Sequence, residues 1–96
     1  MVGSELAEVG APDTVAEVVR AGMSQMSASE LKVARALLAQ YPAAGLGSAA
    51  DLAAQAGVSS PTVVRLIARL GFDGYREFQR VLRGEVPRLF STPFEF

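Results

Sequence analysis

The sequence predicts an all-α domain of five short helices. Three observations carry that prediction. Apolar residues recur at intervals of three and four through most of the 96-residue chain. Cap residues such as Ser and Asp precede the periodic runs, and Gly or Pro follows them. No segment sustains a period-2 alternation of β-branched residues, so no strand is expected.

Residues 1–12 are small and mixed and read as a flexible leader. Asp13, after Pro12, is placed to cap the first helix, in which Val15, Val18, Val19, Gly22 and Met26 share one face. Ser27-Ala-Ser-Glu30 has the spacing of a capping box and opens the second helix. Its inner face is Leu31, Ala34, Leu37, Leu38 and Tyr41, and Pro42 ends it. Residues 42–47 read as a connector. Ser48-Ala-Ala-Asp51 caps the third helix, which turns Leu52, Ala53 and Ala56 inward and stops at Gly57, where φ > 0 is wanted. Ser59 is positioned to cap the fourth helix, with Pro61 in its first turn, where the missing N–H does no harm. Gly71 ends that helix. The fifth is expected from Tyr75 to about Arg83, with Tyr75, Phe78 and Leu82 inward. Residues 85–96, with Pro87 and Pro93, read as a linker or tail.

The inventory excludes several chemistries. The chain has no Cys and no His. That removes disulfides, thiolate zinc sites, the thiol nucleophile and the commonest general base. No two remaining groups form a nucleophile–base pair, so no enzyme, cofactor or metal is expected. No run approaches the ~20 apolar residues of a membrane span. The first residues lack the basic region of a signal peptide, so the expected location is cytoplasmic.

Net charge is −1, but its distribution is uneven. Residues 1–58 balance at −3, whereas residues 59–83 carry five arginines against Asp73 and Glu77, a balance of +3. Segregation of charge matters more than its sum.

The third and fourth helices, joined by a turn at residues 57–59, have helix-turn-helix spacing. Ala53 permits a close crossing, and residues 60–70 form the recognition helix. Projected at 100° per residue, Pro61, Thr62, Arg65, Ala68 and Arg69 lie on one side, and Val63, Val64, Leu66, Ile67 and Leu70 form the core stripe. Arg65 has the reach for guanine O6 and N7. Short side chains at Ser60, Pro61 and Thr62 leave room for a deep approach. Ser48 and Ser59 are caps first and phosphate contacts second. Arg76, Arg80 and Arg83, at intervals of four and three on the fifth helix, suit phosphates better than bases.

From about Met26 to Leu82 the chain resembles the N-terminal helix-turn-helix domain of the RpiR family of bacterial transcriptional regulators. The residues that carry the likeness are Met26 to Ala34, Asp51-Leu-Ala, and the run Gly57-Val-Ser-Ser-Pro-Thr-Val-Val-Arg-Leu-Ile-Ala-Arg-Leu-Gly-Phe-Asp-Gly-Tyr-Arg-Glu-Phe78. Leu66 stands where members often have an aromatic residue, and Ala68 where they often have a further basic one. Ala68 removes one expected groove or phosphate contact.

The resemblance implies a homeodomain-like five-helix bundle, a helix-turn-helix DNA-binding domain at residues 13–84 made of a three-helix DNA-binding core plus flanking helices. It implies a sequence-specific regulator of sugar or phosphosugar metabolism genes, acting on double-stranded DNA as a homodimer at inverted repeats. The first helix, through Val15, Val18 and Val19, is one candidate for pairing. Members usually continue into a sugar-isomerase-type domain that binds a phosphosugar effector, which residues 85–96 would lead towards. The expected DNA-binding set is Ser48, Ser59, Ser60, Pro61, Thr62, Arg65, Arg69, Arg76 and Arg80. The competing reading is a helical protein-interaction module that keeps the fold without binding DNA, favoured by the net charge, Ala68 and the acidic first half.

Overall fold

The computed structural model describes residues 14–90, with side chains through residue 87. Six α-helices occupy them: α1 (Val15–Gly22), α2 (Ala28–Ala39), α3 (Ala43–Leu46), α4 (Ala49–Ala56), α5 (Ser60–Arg69) and α6 (Tyr75–Phe90). A 3-10 turn, Met23–Gln25, follows α1. The described residues contain no strand, as expected of an all-α chain. The leader at 1–12, the cap expected at Asp13 and the part of the tail from residue 91 lie outside them.

Local signals explain most helix ends. Thr14 is the N-cap of α1, its hydroxyl accepting from the Glu17 N–H at 3.1 Å. Met26 does not extend that helix. It is extended backbone after the 3-10 turn and packs half-buried against the core. The capping box at α2 forms as its spacing predicts: Glu30 N–H donates to Ser27 Oγ at 3.2 Å, and Ser27 N–H donates back to Glu30 Oε1 at 2.9 Å.

Two segments depart from the sequence reading. The expected connector holds α3, whose Gly45 lies so close to α6 that a Cβ there would stand 2.6 Å from Leu82 Cδ2 and 2.9 Å from Leu37 Cδ1. The last helix passes Arg83 and Gly84, contains Pro87, and runs to Phe90.

Part of the reason α6 continues is Glu85, which is only 2% exposed. Its Oε2 accepts from the Val15 N–H at 2.6 Å, and its Oε1 accepts from the Tyr41 hydroxyl. That hydroxyl in turn accepts from the Ala16 N–H at 3.1 Å. The first N–H groups of α1, which no intrahelical carbonyl can reach, thus end on a carboxylate and a phenol. Burial, then the Glu85 carboxylate, pushes the Tyr41 hydroxyl pKa far above its ordinary value.

The core lies where α1, α2, α4, α5 and α6 converge. Val15, Val19, Val33, Leu37, Leu52, Val63, Ile67, Phe78 and Leu82 are its fully buried large side chains. Val15 and Val19 are therefore spent inside the monomer, and the α1 face considered for pairing is not a free surface. The inner face of α2 is also rotated from the expected one: Val33, Ala34 and Leu37 are buried, while Leu31, Leu38 and Tyr41 are half-buried.

Candidate nucleic-acid interface

The α4–α5 corner is made by one glycine. Gly57 has φ of 76°, a left-handed conformation that costs an L-residue ~1–2 kcal/mol. Its N–H donates to Ala54 O at 3.3 Å, and the Val58 N–H donates to Ala53 O at 3.0 Å. This paired closure stops α4 and redirects the chain into α5. The far end of α5 repeats it: Gly71 (φ 106°) donates to Ala68 O, and Phe72 donates to Ile67 O. Phe72 then meets the Phe78 ring edge-on at 5.4 Å, which ties the end of α5 to α6.

Between those two turns α5 carries two stripes of identical spacing. Val63, Leu66 and Ile67 are buried, with Leu70 half-buried at the end of the same stripe. Pro61, Val64, Arg65 and Ala68 are all exposed. Val64 was expected in the core stripe and is instead 41% exposed. The buried stripe, once fixed by Val63, Leu66 and Ile67, explains this: Val64 projects about 100° to one side of its centre. Arg65 has no ion-pair partner among the described residues.

Arg69, one turn further on, is placed differently. Its Nη1 sits 2.6 Å from Glu30 Oε1 and 2.5 Å from Glu30 Oε2, and its Nη2 donates to Gln25 O at 3.4 Å. The carboxylate that closes the α2 capping box therefore also holds the end of α5. The Arg69 hydrogen bond, followed by that from the Ser27 backbone, keeps the Glu30 carboxyl below its ordinary pKa. The sequence showed Glu30 as a cap only. Its partner is 39 residues away, and no local pattern encodes that contact.

Ser48 closes the α4 capping box with Asp51, through bonds of 3.0 and 3.2 Å, and remains exposed. Ser59 stands at the N-cap of α5, but its side chain makes no bond to the backbone there. Its Oγ instead lies 3.0 Å from Thr62 Oγ1. The N–H groups of Thr62 and Val63 reach the Ser59 carbonyl, at 3.1 and 3.4 Å. Pro61 has no N–H, so the half-buried Ser60 holds the remaining amide of that first turn.

On α6, Arg76, Arg80 and Arg83 are exposed and, with Asp73, Glu77 and Gln79, line an open depression of about 650 Å³. Glu77 tempers the charge: it accepts from the Asp73 N–H and lies 3.5 Å from Arg80 Nη2. Gln79 donates to the carbonyls of Leu46 and Gly47, at 3.2 and 2.5 Å, and so fastens α6 to the α3–α4 connection. Tyr75, half-buried as a core-side ring, donates to Gly45 O at 3.4 Å, and burial raises its pKa to about 12.

The described residues hold no group of three or more acidic side chains placed to bind a metal. No described helix is long and apolar enough to cross a membrane. A family model described as the helix-turn-helix domain of the rpiR family matches residues 14–88. No match was found among curated proteins or among solved structures.

Proposed function

Because the chain belongs to the rpiR family of helix-turn-helix domains, and is on that ground a DNA-binding domain of a transcription regulator, we propose that α5 enters the major groove with Arg65 as its base-reading side chain. The observation that carries this is the outward stripe of α5. It presents a single guanidinium with no ion-pair partner among the described residues, beside Pro61, Val64 and Ala68 and opposite the buried Val63, Leu66 and Ile67. Pro61, Ser60 and Thr62 at the leading end allow close approach, and Ser48 and Ser59 are exposed hydroxyls for flanking phosphates. Arg76, Arg80 and Arg83 grip the backbone. Arg69, held by Glu30, fixes the end of α5 and is a positioning residue.

Family membership supports the finer points of this reading: a homodimer on inverted half-sites ~34–36 Å apart, target genes of sugar or phosphosugar metabolism, and control by a phosphosugar through a further domain.

Titration of labelled duplex at rising salt tests the proposal. Three phosphate contacts from α6 alone give a slope of about −3 in log K against log salt. A flat dependence would refute it. The competing reading, a protein-interaction module, gains from the neutralisation of Arg69 by Glu30 and from Ala68. It is the correct one if Arg65→Ala/Arg69→Ala leaves duplex binding unchanged.

A further inference from the structure

Val64 is the only large apolar side chain that the described residues leave exposed, at 41%. Its position is specific. It lies on the outward stripe of α5, three residues after Pro61, four before Ala68 and directly beside Arg65. A β-branched side chain on a helix has essentially one rotamer, so its two methyl groups are held in place before any partner arrives. The surface around it is small. Pro61 and Ala68 are short, and no second large apolar side chain is exposed among the described residues, so this is not the patch of several hundred Å² that marks a protein partner. The apolar feature that the floor of a major groove offers a single side chain is the 5-methyl group of thymine, which also distinguishes thymine from cytosine.

Resting on the reading that α5 docks in the major groove, we propose that Val64 is a specificity-determining residue that contacts a thymine methyl, one or two base pairs from the guanine contacted by Arg65. The domain then selects a guanine and a nearby thymine as one element, the charged group reading one and the apolar group the other. Removing either contact leaves the other intact, because the two side chains diverge from neighbouring positions on the same face.

The test uses the whole chain. Duplexes are selected from a random library, and each thymidine of the preferred site is then replaced singly by deoxyuridine, which lacks only the methyl group. Wild type loses about fourfold in affinity at one position near the guanine, the worth of one buried methyl group. Val64→Ala binds the thymidine site about fourfold more weakly than wild type, no longer distinguishes thymidine from deoxyuridine there, and keeps the wild-type salt slope and melting temperature. Val64→Thr, which keeps one methyl, falls between them. A preferred site at which every deoxyuridine substitution is silent, while Arg65→Ala still weakens binding, overturns the role of Val64 and leaves the docking mode standing. Failure of wild type to select any sequence overturns both. A dimer in sedimentation without DNA that Val64→Ala dissolves would also overturn the proposal, since it would show that this side chain is covered by protein.

Discussion

Arg65 and Arg69 are one turn apart on α5, yet truncating them should do opposite things. Arg65→Ala removes an exposed side chain with no ion-pair partner among the described residues. Alanine is at least as good a helix former, so stability should change by less than about 0.5 kcal/mol. Affinity for the preferred duplex should fall by the worth of a bidentate guanine contact, ~1–3 kcal/mol or about 5- to 150-fold. Arg69→Ala strands the Glu30 carboxylate, which is 11% exposed at the side chain, with only its capping bonds. Hydrogen bonds to a charged group contribute ~1.5–3 kcal/mol. The Arg69 side chain is 54% exposed, so solvent screening reduces this to about 1 kcal/mol. For a domain of this size that lowers Tm by ~4–8 °C. Affinity should change less than about threefold, as befits a side chain off the groove floor. Thermal melts followed by circular dichroism and duplex titrations at fixed salt separate the two effects. An unchanged Tm for Arg69→Ala, with an affinity loss matching that of Arg65→Ala, would refute the reasoning, because it would mean that Arg69 deserts Glu30 for DNA.

Three further outcomes follow from the packing. Gly45→Ala pushes a methyl group to within 2.6 Å of Leu82 and 2.9 Å of Leu37, both buried, and should cost ~1–3 kcal/mol of stability in a denaturant titration. Glu85→Ala leaves the buried Val15 N–H without its acceptor and the Tyr41 hydroxyl without the carboxylate, a loss of ~1–3 kcal/mol that a melting curve will show. The Glu30 carboxyl is held below its ordinary pKa of 4.5, so its contribution is complete above that value and is lost as pH falls through the lower folded-state value. Wild type should therefore lose more stability below pH 4.5 than Glu30→Gln, in which the amide keeps the capping box without the titrating group. Parallel curves for the two proteins would remove Glu30 from the account of acid unfolding.

The parts of the fold that sequence makes legible are those governed by near neighbours. The Ser27/Glu30 and Ser48/Asp51 boxes, the turn at Gly57, the stop at Gly71 and the tolerance of Pro61 all act within one helical turn, and each is present. Phe78 and Leu82 follow from periodicity. The misses share a different cause. Gly84 and Pro87 look like a helix end by local rules, but α6 is anchored across the fold by Glu85 and Leu82, and tertiary contacts outweigh those rules. The α3 turn is too short for periodicity to reveal, and it exists because Gly45 fits against α6. On α5, residue types and spacing place Arg65 on the outward side, and it is exposed there. They do not show that Val64 faces out, since valine reads as core by composition, nor that Arg69 is already engaged.

The bond from Val15 to Glu85 spans 70 positions of chain and also bears on synthesis. On the ribosome, at ~5–20 residues per second, roughly 4–14 s pass between the emergence of the first helix and that of the carboxylate that receives its leading amide. Throughout that interval the leading amide of a nascent α1 lacks its acceptor, so this clasp cannot close before α6 has emerged, although α1 is translated before all the other helices described here.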